Sequence, residues 1–269
     1  MITSSEIDLQ ELKETFDRDG FSVARGLFSP EEVAEIREAF DEIDRKQQGA
    51  VRPQDDGITD PNDPLYLHPR IVHPHRSNDL ARRYMIHPKL AVCLRAIVGD
   101  EPVATQSMYY FKAPGARGQA MHQDNMYLLV EPGSCLGAWV AIDRADRENG
   151  CMMLVPGSHR GNLLCPEKAD TTISFTPTAT RIPKGLKPVE MPMEPGDTLF
   201  FHGGVIHGSG PNRTKDRFRR SFIGHYASGS LDKISKFYLP MVRMDGTECE
   251  VPANLDGGPC GHDWQGAVH

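Results

Sequence analysis

The run Met121-His122-Gln123-Asp124 sets an imidazole and a carboxylate two residues apart. Side chains alternate along a strand, so residues two apart share a face. The spacing predicts His122 and Asp124 side by side on one strand. A third donor, His207, lies 85 residues further on, in Phe200-Phe201-His202-Gly203-Gly204-Val205-Ile206-His207-Gly208-Ser209. Two histidines and one carboxylate on one face of an octahedron leave three positions open, which is the arrangement of non-haem Fe(II) oxygenases. Two of those positions can take a 2-oxo acid as a chelate, and the third can take dioxygen. The His-x-acid pattern is weak by itself. Among eleven histidines, about one to two such matches arise by chance. What carries weight is the combination and its order: a dyad on an expected strand, a second histidine at a strand end, then a polar loop and a basic strand.

That basic strand is Arg217-Phe218-Arg219-Arg220-Ser221-Phe222. A 2-oxo acid with a second, distal carboxylate needs a cation at the far end of its pocket, and the planar fork of arginine binds a carboxylate through two hydrogen bonds. Alternation sends Arg217 and Arg219 to one face and Arg220 to the other, and only one face can see the metal pocket. The residues themselves leave the choice among the three open.

The elements that must position these groups fall into two textures. The first hundred residues read as helical. Ser5 is placed to cap a helix through Leu9, Leu12 and Phe16 that stops at Asp19-Gly20, and Phe21 to Ala24 alternates like a short strand. Ser29-Pro30-Glu31-Glu32 is a capping box with proline at the first helical position, and Val33, Ile36 and Phe40 follow on one face. Residues 49–64 form a loop, and a helical stretch over 79–98 is divided at His87-Pro88. From Glu101 onward short apolar runs alternate with turns, predicting strands over 103–111, 120–130, 137–142, 152–155, 198–201 and 218–226. The expectation is a β-sandwich or barrel with helices packed outside, in one domain over 1–269, with the helical part about 1–100 and the β core about 101–242.

The bulk properties exclude several classes. A formal charge of −7 and interspersed charges lack the basic stripe of a nucleic-acid binder. No apolar run reaches the roughly 18 residues of a membrane span, and the acidic N-terminus is not a signal peptide, so the expected compartment is cytoplasmic. The six cysteines are then expected as reduced thiols, with no CxxC pair among them. His68, His73 and His75 cluster without a carboxylate, and Cys249, Cys260 and His262 lack a fourth ligand, so neither group is expected to hold a metal. The polar loops 49–74 and 164–188 are long enough to form a lid. Asn125, Tyr127 and Tyr110 flank the dyad, although strand alternation faces Tyr127 away from it.

Taken as a whole, the sequence resembles the phytanoyl-CoA dioxygenase family from about Phe16 to Ser228. The matching stretches are FDRDGFSVARGLFSPEEV, MHQDNMYL, GAWVAIDRADRENGCMMLVPGSHRG, EPGDTLFFHGGVIHGSGPN and FRRSFIGHYAS. The resemblance implies a mainly β fold, a double-stranded β-helix (a cupin-like jelly roll) with helices outside, and an oxidoreductase using Fe(II), 2-oxoglutarate and O2. It implies His122, Asp124 and His207 as metal ligands and catalytic centre. It implies Arg219 as the partner of the distal carboxylate, Ser209 as its hydroxyl partner, and Met108, Gln123 and Trp139 as cosubstrate-pocket residues. Family halogenases lack the carboxylate ligand, so Asp124 points to a hydroxylase-type oxidation of a small molecule: a natural-product intermediate or an acyl or amino-acid derivative. The rival expectations are a cupin-like metal enzyme that does without 2-oxoglutarate and a non-catalytic ligand-binding relative. Oligomeric state is not readable from the sequence.

Overall fold

A computed structural model describes residues 7–47, 58, 60–255 and 260 of the chain. The principal helices are α1 (Leu9–Asp19), α2 (Pro30–Gln47), α3 (Asp79–Met85), α4 (Pro88–Val98) and α5 (Asn125–Leu128). The principal strands are β1 (Phe21–Ala24), β2 (Pro102–Tyr110), β3 (Gln119–His122), β4 (Leu136–Ala141), β5 (Met152–Leu154), β6 (Val189–Met191), β7 (Thr198–His202), β8 (His207–Ser209) and β9 (Ser221–Ser228). They form two antiparallel sheets. The larger runs β1-β7-β4-β9-β2 and continues through short strands Met241–Arg243 and Glu248–Cys249, and the smaller runs β3-β8-β5-β6. Apart from the terminal hairpin of Met241–Arg243 and Glu248–Cys249, neighbours in each sheet come from distant parts of the chain, as a jelly roll requires.

Alternation along the larger sheet separates two cores. Tyr109, Val140, Phe200 and Phe222 face outward, where α1, α2, α3 and α4 cover them with Leu12, Phe16, Ile36, Phe40 and Leu94. Phe40 stacks on Tyr109 with ring centroids 4.0 Å apart. Met108, Trp139, Phe201 and Ile223, one residue away along the same strands, face inward toward the smaller sheet. The lumen between the sheets is therefore lined by one parity of each strand while the other parity anchors the helices.

The caps show why these helices begin where they do. Ser29 N–H donates to Glu32 Oε2 (2.7 Å) and Glu32 N–H to Ser29 Oγ (3.3 Å), the reciprocal capping box read from the sequence. Helix α1 is capped instead by Asp8, which accepts from the N–H groups of Gln10 and Glu11; Ser5 lies outside the described residues. Gly20 closes α1 in the left-handed region (φ 85°), which glycine adopts without strain. The expected break at His87-Pro88 separates α3 from α4. The loop expected over 49–64 falls mostly outside the described residues; its end is drawn into a one-turn helix, Pro64–Leu67, capped by Asp63.

Two expected strands differ in extent. The strand read over 120–130 stops at His122, and the chain turns into α5. The strand read over 218–226 begins only at Ser221, so the three arginines precede it. Both corrections bear on the site.

Candidate metal centre

Antiparallel pairing of β3 and β8 sets His122 directly opposite His207. Their ring centroids are 4.2 Å apart. Asp124 reaches them by another route than strand alternation. Its backbone is helical (φ −60°, ψ −35°), because its carbonyl accepts from the N–H groups of Tyr127 (2.9 Å) and Leu128 (3.1 Å) to start α5. Asn125 locks that turn: its Oδ1 accepts from the N–H groups of Val130 (3.1 Å) and Cys135 (3.3 Å). The turn swings the Asp124 carboxylate back beneath the two rings, with Oδ1 3.4 Å from Nε2 of each. It also brings the Tyr127 ring to within 6.3 Å of His122, where strand alternation had placed it on the other face. All three side chains are buried, and their ligand atoms lie within 4.8 Å of one another. Among the described residues they are the one group of three or more such side chains gathered this closely.

The tautomers suit a metal. Nδ1 of His122 lies 2.8 Å from the Ala120 carbonyl and Nδ1 of His207 lies 3.0 Å from the Val205 carbonyl. A carbonyl only accepts, so each Nδ1 carries the proton and donates it, leaving the Nε2 lone pairs turned inward. Burial, helped by neighbouring His207, pushes the His122 pKa down. Burial also presses on His207, but the adjacent Asp124 carboxylate outweighs it and the net shift is upward. On the far side of Asp124, His225 Nε2 lies 3.1 Å from Oδ2.

Beside the cluster is a pocket walled by Met108, Tyr110, Gln119, Trp139, Ser209 and Arg219. Arg219 is only 2% exposed and has no carboxylate partner among the described residues. Its Nη1 donates to Ser221 Oγ (3.1 Å), its guanidinium lies 5.2 Å over the Trp139 ring, and its Nε has no hydrogen-bond partner. Burial pulls its pKa down to about 10. A buried cation left in this state lacks an anion to complete it. The other two arginines are already paired, Arg217 with Asp146 and Glu148, and Arg220 with Asp41 and Asp143. Arg217 and Arg219 therefore do not share a face, because the segment is not a strand. Ser209 Oγ accepts from Lys112 Nζ (2.7 Å) and, more weakly, from Gln119 N–H (3.4 Å), so its own hydrogen remains available to donate.

A model of the phytanoyl-CoA dioxygenase (PhyH) family matches residues 16–221. The chain belongs to the phytanoyl-CoA dioxygenase family. Rat peroxisomal phytanoyl-CoA dioxygenase is 28% identical over 246 residues, covering 84% of this chain and 70% of the rat protein. Among solved structures, the epimerase SnoN in complex with Fe3+, alpha ketoglutarate and nogalamycin RO aligns with a TM-score of 0.66 at 24% identity, covering 83% of this chain and 85% of its own. EctD from S. alaskensis, with 2-oxoglutarate and 5-hydroxyectoine, aligns with a TM-score of 0.65 at 24% identity, covering 86% and 79%. These likenesses show a common double-stranded β-helix.

Within this family member, most residues expected at the site meet there; one does not. Gln123, expected in the cosubstrate pocket, turns away from it. Its Nε2 donates to the Gly204 carbonyl (2.8 Å), and its Oε1 accepts from Leu164 N–H (2.8 Å). The turn that brings Asp124 inward sends Gln123 outward, where it ties the ligand segment to neighbouring loops. Sequence reasoning missed Gln119, His225 and Lys112. His225 had a usable signal, since it follows Ile223 at strand spacing on β9. Lys112 had none: it is buried with φ 37° just past the end of β2, and its Nζ donates to the Gly210 carbonyl as well as to Ser209.

Elsewhere, His68 pairs with Asp44 (2.8 Å) and His75 with Ser107 Oγ (2.8 Å). Cys165 and Cys260 form a disulfide, which corrects the expectation of six thiols; their proximity across 95 residues has no local sequence signal. Cys260 is thereby removed from any zinc site, and His262 lies outside the described residues. Residues 164–188 include a small hairpin, Glu167–Lys168 with Thr178–Ala179, whose flanks bond to the β3 region through Gly118 N–H to the Ile173 carbonyl and Thr180 N–H to the Met121 carbonyl. No helix among the described residues is long and apolar enough to cross a membrane.

Proposed function

We propose that the chain is an Fe(II)- and 2-oxoglutarate-dependent dioxygenase that hydroxylates, or otherwise oxidises, an unactivated C–H bond of a small molecule. The observation that carries this is the pairing of a buried His-Asp-His cluster with a buried arginine that has no carboxylate partner, on the walls of one pocket. His122, Asp124 and His207 would hold the iron, through the Nε2 and Oδ1 atoms that face one another. Arg219 receives the distal carboxylate of 2-oxoglutarate through its fork, and the Ser209 hydroxyl donates to the same group. Met108 and Trp139 flank the cosubstrate, keep water out and strengthen the charged contacts by lowering the local dielectric. Bound iron, 2-oxoglutarate and O2 together supply an oxidant able to take hydrogen from carbon, with release of succinate and CO2.

Arg219 favours this over a cupin-like enzyme without 2-oxoglutarate, for which a buried cation would have no partner. The intact donor set disfavours a non-catalytic relative. A cleft of about 560 Å3 adjoins the metal pocket, sharing Gln119 and Ser209 with it, and is walled by Met121, Met153, Ile173 and Ile182 with Arg147 and Arg213 among its lining. That volume suits a small-molecule ligand, and the family relationship keeps acyl and amino-acid derivatives and natural-product intermediates in view. SnoN is an epimerase and EctD is solved with 5-hydroxyectoine, so on this reading the outcome is set by what the pocket holds near the iron. We assign the whole of 1–269 to one such domain. The test is to purify the protein without oxygen, add Fe(II) and 2-oxoglutarate, admit air and measure succinate. Succinate formation that is absent with iron and 2-oxoglutarate, and stays absent across a panel of candidate substrates, refutes the reading.

A further inference from the structure

The Asp124 carboxylate is held from both sides. Oδ1 faces the two imidazoles at 3.4 Å, and Oδ2 faces His225 Nε2 at 3.1 Å. His225 is 1% exposed and sits on β9, in the middle of the larger sheet. Its backbone is fixed twice: the residue pairs with Gly137 on β4 and Gln106 on β2, and its carbonyl accepts from Thr105 Oγ1 (3.1 Å). The ring therefore approaches the carboxylate from a rigid element. An ionised carboxylate can only accept, so Nε2 is the donor.

This matters because an aspartate can grip a metal through one oxygen or through both. Two-oxygen binding would use a fourth position and leave two. A 2-oxo acid chelate and dioxygen need three. We propose that His225 is a positioning residue that restricts Asp124 to single-oxygen ligation by occupying Oδ2, and so preserves the third open position. This rests on the iron and 2-oxoglutarate reading above, and it adds a residue that the donor pattern does not contain.

The test uses Co(II) as the probe, without oxygen, on the full chain. His225→Met removes the donor at similar volume, and His225→Gln restores an N–H of similar reach. Each protein is titrated with Co(II), its visible spectrum is recorded, and the Co(II) form is titrated with 2-oxoglutarate. In His225→Met the Co(II) spectrum is expected to change and 2-oxoglutarate affinity to fall by about 10- to 100-fold, the range for groups that orient a ligand, with a smaller loss in Co(II) affinity. His225→Gln is expected to recover both to within about threefold of wild type, well short of that 10- to 100-fold loss. Should the methionine variant not fold, His225→Asn, whose amide falls short of Asp124, takes its place. An unchanged spectrum and 2-oxoglutarate affinity in the donor-free variant overturns the proposal. So does an equal loss in His225→Gln, which would make the effect one of shape. Failure of the wild-type protein to bind Co(II) at all would sink the oxygenase reading itself.

Discussion

Replacing Arg219 by methionine should make the protein more stable and unable to hold 2-oxoglutarate, two effects of opposite sign from one side chain. Burial lowers the Arg219 pKa from its ordinary value to about 10, which corresponds to roughly 3 kcal/mol at about 1.36 kcal/mol per tenfold change in proton affinity. The sign follows from linkage. A base whose pKa is lowered by folding is charged at a cost in the folded state. That cost is full below about pH 10 and fades as pH rises from there toward the ordinary arginine range. At neutral pH the methionine variant escapes it. The variant also loses the Ser221 hydrogen bond, about 1 kcal/mol, and the contact over Trp139, about 0.5 to 2 kcal/mol. A net gain of about 1 kcal/mol remains, worth about 2 to 4 °C in melting temperature for a chain of this size. The cosubstrate loses its only described cationic partner in the pocket, at about 2 to 5 kcal/mol, or about 30-fold or more in affinity. Thermal unfolding of the Co(II) form under argon reads both. Wild type at about 100 times Kd gains about 2.7 kcal/mol from 2-oxoglutarate, and the variant at the same concentration gains little. A variant that keeps more than half of the wild-type ligand shift, or that melts well below wild type without ligand, would refute the argument that this cation awaits the cosubstrate.

Four further outcomes follow from the same geometry. His122→Ala or Asp124→Ala should abolish tight Co(II) binding and succinate production, and full succinate production by either variant would remove it from the centre. Co(II) affinity should rise with pH and then level off, because the adjacent Asp124 carboxylate raises the His207 pKa and the proton it retains there must leave before the metal binds; calorimetry in buffers of different ionisation heat should show proton release, and a flat profile would contradict it. Gln123→Ala should leave the 2-oxoglutarate KM within about threefold, since no cosubstrate contact is lost, while costing about 1 to 3 kcal/mol of stability, as measured by denaturant unfolding; a KM rise like that of Arg219→Met would return Gln123 to the pocket. Phe40→Ala should cost about 3 to 5 kcal/mol because its ring stacks on Tyr109 beneath α2, and a loss under 1 kcal/mol would mean the helical layer is not coupled to the sheet.

The helical layer was legible in the sequence because its signals are local. The Ser29-Glu32 capping box, the Val33-Ile36-Phe40 stripe and the His87-Pro88 break each involve residues a few positions apart, and each holds. Most strands were legible for the same reason, as short apolar runs between turns, at Pro102–Tyr110, Leu136–Ala141 and Thr198–His202. What the sequence could not show is contact made across the fold. Lys112 meets Ser209 over 97 residues and His225 meets Asp124 over 101. Neither pair has a spacing that names its partner. The Cys165–Cys260 pair was hidden likewise.

The expected donors come together in the fold, though not by the expected route, and the two errors of route share a form. His122 and Asp124 were expected to meet by strand alternation, and Arg217 and Arg219 to share a face by the same rule. In both places the strand is absent: β3 ends at His122, and β9 begins after Arg220. A ladder fixes each side chain perpendicular to its sheet, two residues apart along the strand. Three donors converging on one ion need bearings that a ladder cannot supply. Breaking the strand at His122 lets Asp124 come back under the ring from a helical turn while Gln123 goes outward, and leaving Arg219 before β9 lets it bury alone while Arg217 and Arg220 pair with carboxylates elsewhere. A local rule that fails at both ends of one pocket, and holds along the strands between, marks where function has overridden regular structure.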